Sequence, residues 1–203
     1  MSTPTDDKQT VFIVDDDLAI RHAMTLLVQS VGLESRAFAT ANDFLERFDS
    51  CSAGCLVLDI RMPGLSGLEL QQRLLELGVS IPIIFITGHA DVPMAVEAMQ
   101  KGAFAFIQKP FRDQELLESI SEAMIAGSRE RRRQETRSEV EARLQALTPR
   151  EHEVMDLVVA GKPNKVIAFE LGVSQRTVEV HRARVMEKME ARSLADLVRM
   201  NLL

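Results

Sequence analysis

Tryptophan and tyrosine are missing from the 203 residues, and aromatic residues reach only 4%, all of them phenylalanine. Any stacking of bases on aromatic rings therefore falls to phenylalanine. Cysteine occurs twice, at Cys51 and Cys55, with no histidine cluster near them to complete a metal site, so packing or a surface thiol is the expected role. No apolar run approaches the roughly 20 residues that cross a bilayer. The opening stretch MSTPTDDKQT has neither the basic nor the apolar region of a signal peptide. A cytoplasmic protein without a membrane partner is expected.

What is present is 46% hydrophobic residues in a chain long enough for two modest domains. The net charge of −6 hides an asymmetry. Residues 1–125 hold 18 acidic against 9 basic side chains, whereas residues 126–203 hold 12 against 15. An acidic front and a basic back imply two jobs, the second involving phosphate backbones.

The front alternates short apolar runs with amphipathic ones. TVFIV, SRAFA, CLVL, IPIIFIT and AFAFI are each followed by a helical pattern, the last being DQELLESISEAMI. Five βα units in a row predict a doubly wound five-stranded parallel sheet, an α/β fold whose ligands bind outside the carboxyl ends of the strands. From Ala126 to Leu147 charged helix formers take over and predict a helical linker. Val140, Leu144 and Leu147 lie at helical spacing, ready for a partner helix or for solvent. Thr148-Pro149-Arg150-Glu151 then has an N-cap, a proline at the first helical position and a glutamate to close a capping box. No strand pattern follows, so residues 148–203 read as a small helical bundle, after a 1–125 domain and a 126–147 linker.

In CLVLDIRMPGLSG an aspartate ends an apolar strand, where a charge is costly unless it is paired or used. The first strand ends in VDDD, and a parallel sheet brings Asp15 and Asp16 to Asp59 in one crevice. Three carboxylates there repel, and a hard cation such as Mg²⁺ resolves the repulsion, with the Arg61 carbonyl as a further ligand. Thr87 and Lys109 end the fourth and fifth strands and face the same crevice. Nucleophile, metal, hydroxyl and fixed cation are the parts of phosphoryl transfer, with Asp59 as the acceptor.

IVDDD, LDIRMPGLSG, FITGHAD and FIQKPF resemble the receiver domain of two-component response regulators. LTPREHEVMDLVVAGKPNKVIAFELGVSQRTVEVHRARVMEKM resembles a LuxR-type output domain, so the chain is similar to the FixJ/NarL class over nearly its whole length. The resemblance implies a flavodoxin-like receiver with Asp59 as phosphoacceptor, Asp16 as a direct Mg²⁺ (or Mn²⁺) ligand and Asp15 as one acting partly through water. It also implies Thr87 as the switch hydroxyl, Lys109 as its salt-bridge partner and Phe106 as the aromatic that changes rotamer. A sensor histidine kinase, promoter DNA, RNA polymerase and a second copy of the chain are the implied partners, with residues 93–108 as the dimer surface. No enzyme beyond the chain's own phosphorylation and slow self-dephosphorylation is implied. Asp17 is left to cap a helix or face water.

In the back half, Gly172 ends one helix and Ser174 caps the next, a helix-turn-helix whose second helix enters the major groove. At 100° per residue Val178, Val185 and Met189 face inward, and Arg176, Glu179, Val180, Ala183 and Glu187 face outward. The resemblance makes Glu179, Val180 and Ala183 base readers. Lys165, Arg176, Thr177, Arg182, Arg184 and Lys188 complete the expected DNA-binding set, with an internal pairing as the rival role for Arg182. Pro163 stands where the family commonly has a hydroxyl cap, leaving Asn164 or water to replace it. Competing readings are a phosphorylation-independent DNA-binding regulator, a protein-interaction adaptor, and a haloacid-dehalogenase-type phosphatase. The last needs an aspartate where Arg61 stands.

Overall fold

Five short strands, the central ones buried on both faces, account for the first half of the chain. The computed structural model describes residues 9–49, 52–88 and 92–202, so Cys51 lies outside the described residues. The strands are β1 (Thr10–Val14), β2 (Glu34–Phe38), β3 (Gly54–Asp59), β4 (Ile83–Thr87) and β5 (Ala105–Gln108). They form one parallel sheet in the order β2-β1-β3-β4-β5. The helices between them are α1 (Leu18–Ser30), α2 (Ala41–Arg47), α3 (Gly67–Glu76) and α4 (Val92–Gln100), and α5 (Asp113–Gln145) follows β5. The doubly wound fold expected from the βα pattern is the fold observed.

Because side chains alternate across a strand, each central strand feeds two cores. Phe12, Leu56, Leu58 and Phe85 join Phe44 and Leu70 on one face. Val11, Ile13, Val57, Ile84 and Ile86 join Leu116 and Ile120 on the other. Each fully buried side chain of this size contributes about 1.5–3 kcal/mol. Cys55 is among them, and burial pushes its thiol up to about 12, which leaves it protonated packing material.

The order of strands reverses at β1 and β3, which opens a crevice at their carboxyl ends. α3 enters this crevice edge closely. Ser66 and Glu69 form a complete capping box at its start, and the Gly67 N–H donates to the Ile60 carbonyl at 2.9 Å. A β-carbon at Gly67 would stand 2.3 Å from the Asp59 carbonyl oxygen, so only glycine lets the helix start there.

The chain divides into two compact units, residues 1–131 and 132–203. The division falls inside α5, which runs unbroken for 33 residues where the sequence pattern suggested a helix followed by a helical linker. No proline interrupts this stretch of good helix formers, so nothing stops the helix. In the second unit Val140 and Leu147 are buried with Leu144 packed beside them, so this stripe faces the core of its own unit and not solvent.

That unit continues with α6 (Pro149–Val159), α7 (Asn164–Leu171), α8 (Gln175–Lys188) and α9 (Leu194–Asn201). Thr148 and Glu151 close the capping box on α6, and Ser174 and Ser193 cap α8 and α9. Gly172, at φ 64°, ends α7 in the left-handed region and turns the chain toward α8. Replacing Gly67 by alanine should destabilise the first unit by about 1–3 kcal/mol. Urea unfolding followed by circular dichroism measures this, and an unchanged midpoint would mean that α3 can shift away freely.

Candidate functional site

The ladder carries three chemically distinct groups to one edge of the sheet. Asp59 ends β3 opposite Ile86, Thr87 ends β4 opposite Gln108, and Asp15 and Lys109 follow directly on β1 and β5. The Lys109 N–H donates to the Thr87 carbonyl at 2.8 Å, extending the ladder by one bond. The side chain thereby starts from a fixed backbone position. Its ammonium lies 2.7 Å from Asp15 Oδ2 and 2.8 Å from Asp59 Oδ1.

Both carboxylates are almost fully buried, and the Lys109 side chain is 17% exposed. Their second oxygens are occupied too. Asp15 Oδ1 accepts from the Asp17 N–H at 2.9 Å, and Asp59 Oδ2 accepts from the Arg61 N–H at 2.7 Å. Burial pushes the Asp59 carboxyl above the ordinary carboxylate range, the Lys109 ammonium pulls it back, and the Asp15 charge adds to the rise. For Lys109 burial acts downward, but the bonds to Asp15 and Asp59 outweigh it and hold the ammonium above its usual value.

Asp16 stands apart from this cluster, exposed to solvent, and among the described residues no three acidic, histidine or cysteine side chains are gathered to hold a metal ion. The sequence reading set three carboxylates around one cation. Here a lysine takes the central place between two of them. Asp17 caps α1, accepting from Ala19 N and Ile20 N. Arg21, one turn into α1, donates to the Asp15 carbonyl at 2.6 Å and ties down the loop that bears the acids. Its spacing from VDDD gave no sign of that. Thr87 is buried, and Phe106 is half-buried against the core shared by Phe85 and Leu58.

In the second unit α8 buries Val178 and Val185 and its cap Met189, as the helical wheel requires. Arg176, Glu179, Val180, Ala183 and Arg184 are exposed on α8, and Lys165 is exposed on α7. Thr177 is half-buried at the start of α8, its N–H donating to Ser174 Oγ and its hydroxyl bonded to the same oxygen. The single phenylalanine of this unit, Phe169, is exposed on α7.

Two basic residues of the expected DNA-binding set are engaged internally. Arg182 Nη1 donates to Asn164 Oδ1 at 2.8 Å, which joins α8 to the first turn of α7. Asn164 therefore does not replace the missing cap with that oxygen, and α7 starts at Pro163 without a side-chain cap. Lys188, expected among the DNA-binding residues, is held inside its own unit. Its ammonium binds Glu151 Oε2 at 2.6 Å and the Ala146 carbonyl at 3.1 Å. Glu151 is buried, so its charge demands a cation, and Lys188 supplies it across 37 residues of sequence. The capping-box pattern marked Glu151, but nothing local marked Lys188 as its partner.

The Lys188 bond, with the Thr148 N–H beside it, lowers the Glu151 carboxyl from 4.5 to about 2. A carboxyl depressed on folding stabilises above its unfolded pKa, so this contribution is complete above about pH 4.5 and lost as pH falls toward 2. Lys188→Met should lower the stability of this unit by about 1–2 kcal/mol at pH 7, the solvent-facing side of the ammonium weakening the pair. The difference from the native chain should shrink toward pH 2. Urea titrations at both pH values measure it, and an equal loss at each would contradict the assignment.

Comparison with known proteins agrees with the geometry of both units. The response regulator receiver domain family matches residues 11–121, and the bacterial regulatory proteins of the luxR family match residues 145–201. Nodulation protein W of Bradyrhizobium diazoefficiens is 48% identical over 98% of this chain and 88% of its own length. Transcriptional regulatory protein FixJ of Azorhizobium caulinodans is 45% identical over 95% and 92%. Among solved structures, the response regulator StyR covers 96% of this chain and 98% of its own at 45% identity and a TM-score of 0.87. Full-length FixJ from B. japonicum covers 96% of each at 42% identity and a TM-score of 0.60. No helix among the described residues is long and apolar enough to cross a membrane. With a receiver at one end and a LuxR-type helix-turn-helix at the other, the chain belongs to the FixJ/NarL-type two-component response regulators, which regulate transcription.

Proposed function

We propose that Asp59 is the phosphoacceptor and that its phosphorylation by a sensor histidine kinase turns on promoter binding through dimerisation. The observation that carries this reading is the shared ammonium: Lys109 bridges Asp15 and Asp59 at the carboxyl edge of the sheet. A carboxylate oxygen of Asp59 forms the new P–O bond while the bond from phosphorus to the donor's imidazole nitrogen breaks. Lys109 faces the oxygens on which negative charge gathers, and buried Thr87 at the adjacent strand end supplies a hydroxyl for a phosphoryl oxygen.

Asp15, Asp16 and Asp59 outnumber Lys109 as charges, and with the Arg61 carbonyl they have the hard-oxygen chemistry that suits Mg²⁺ or Mn²⁺. When bound, the ion would neutralise charge on the phosphoryl oxygens. Slow hydrolysis of the acyl phosphate returns the chain to rest, which is the extent of its own catalysis.

In this reading residues 1–125 receive the signal, 126–147 connect, and 148–203 bind DNA. Movement of Thr87 and Phe106 alters the face over residues 93–108, where Val96 and Met99 are already exposed. That face forms the dimer, and two α8 helices then reach two half-sites. A shift from 1:99 to 99:1 requires about 5.5 kcal/mol, shared between phosphoryl contacts and the dimer interface. Glu179, Val180 and Ala183 face base edges, while Lys165, Arg176, Thr177 and Arg184 bind phosphates, with Arg182 supporting them from the edge of the core. RNA polymerase is the expected partner of the DNA-bound dimer.

Sedimentation of the purified chain with Mg²⁺, with and without beryllofluoride, tests the reading. A monomer-to-dimer shift that requires Mg²⁺ and vanishes in Asp59→Ala is expected. A dimer indifferent to Asp59 would favour a phosphorylation-independent regulator. On DNA, Arg184→Ala should reduce the log–log salt slope by about one.

A further inference from the structure

Gln71 is a carboxamide in the middle of α3 that is only 1% exposed. Its Nε2 donates to the Ala98 carbonyl at 3.1 Å and to the Lys101 carbonyl at 3.2 Å. The first lies in the last turn of α4, where it also accepts from the Ala103 N–H at 3.0 Å, and the second lies in the turn that follows the helix. The carboxamide oxygen Oε1 is buried and has no hydrogen-bond partner among the described residues. A leucine would fill the same space without that polar cost, so packing alone does not account for a glutamine here.

The position of Gln71 on α3 gives the bonds a second meaning. Gly67 and Gln71 are four residues apart and share one face of the helix. At Gly67 the helix abuts the Asp59 carbonyl so closely that a β-carbon would lie 2.3 Å from it, and the Gly67 N–H holds the Ile60 carbonyl. One end of this face is therefore fixed to the backbone of Asp59, and the next turn grips α4.

The rest of the hold on α4 is apolar, with Met94 half-buried against the core that Ala98 joins. Among its described side chains Ala98 alone is buried, while Val96 and Met99 are exposed. Lys101 and Glu97 pair with each other on the helix surface and do not attach it to α3.

We propose that Gln71 is a latch through which α3 holds the C-terminal end of α4, and that displacement of the Asp59 backbone loosens it and frees the α4 surface. The first part stands on geometry alone, and the second rests on the phosphorylation reading above. It adds a route from Asp59 to α4 that runs through a backbone contact and a carboxamide, separate from Thr87 and Phe106.

Amide hydrogen exchange on the full chain tests both parts. In Gln71→Leu and Gln71→Met the amides of residues 98–103 should exchange at least about tenfold faster, the scale of two lost hydrogen bonds. Strands β1 and β3 should be unchanged. No acceleration in either variant, or equal acceleration in β3, would overturn the latch and leave Gln71 as a general stability residue. In the native chain with Mg²⁺ and beryllofluoride, residues 98–103 should accelerate in the same way, and not in Asp59→Ala. A response to beryllofluoride elsewhere but not at 98–103 would overturn the coupling. Absence of any response in the chain would instead refute the phosphorylation reading, leaving the latch to be judged by the two variants.

Discussion

The ammonium of Lys109, shared between Asp15 and Asp59, is the interaction on which the first unit's chemistry depends. Two carboxylates at neighbouring strand ends would repel in a buried crevice, and one would take up a proton. A protonated Asp59 is a poor nucleophile. With Lys109 between them both acids keep hydrogen-bonded positions, and each has its remaining oxygen tied to a loop N–H. The sheet makes this possible by fixing Lys109 through the bond from its N–H to the Thr87 carbonyl. Gly67 brings α3 against the same backbone, so a change at Asp59 is felt by a helix as well as by side chains.

The second unit solves a similar problem with a different purpose. Buried Glu151 serves the capping box of α6, and Lys188 at the end of α8 neutralises it. This pair, with the Arg182 bond to Asn164, joins α8 to α6 and α7 and fixes the helix that presents Glu179, Val180 and Ala183. Basic residues of α8 thus divide into two groups. Lys188 and Arg182 hold the helix in place, whereas Arg176 and Arg184 face solvent.

Much of this was legible in the sequence because it repeats. Continuous apolar runs place Asp59, Thr87 and Lys109 at strand ends, and a parallel order gathers those ends on one edge. Thr148, Ser174 and Gly172 announce helix limits through local hydrogen bonding, and each stands where its residue type suggested. Pairings across long separations leave no such trace. Nothing near Lys188 points to Glu151, nothing near Gln71 points to Ala98, and the run VDDD does not say that Asp15 turns inward while Asp16 stays in water. The helical character of residues 126–147 was legible in their helix formers, whereas its continuity with the helix before it was not, because the change of composition at Ala126 looks like a boundary.

The most direct test of the central claim compares Lys109→Met with Lys109→Met combined with Asp59→Asn, by urea unfolding at pH 7 in the presence of EDTA. If Lys109 is there to hold two buried carboxylates together, the single variant should lose about 3–5 kcal/mol. The double variant, with only one carboxylate left in the crevice, should regain most of that loss. A double variant no more stable than the single one would show that the ammonium's charge is not what the crevice requires, and the account would fail at its first step.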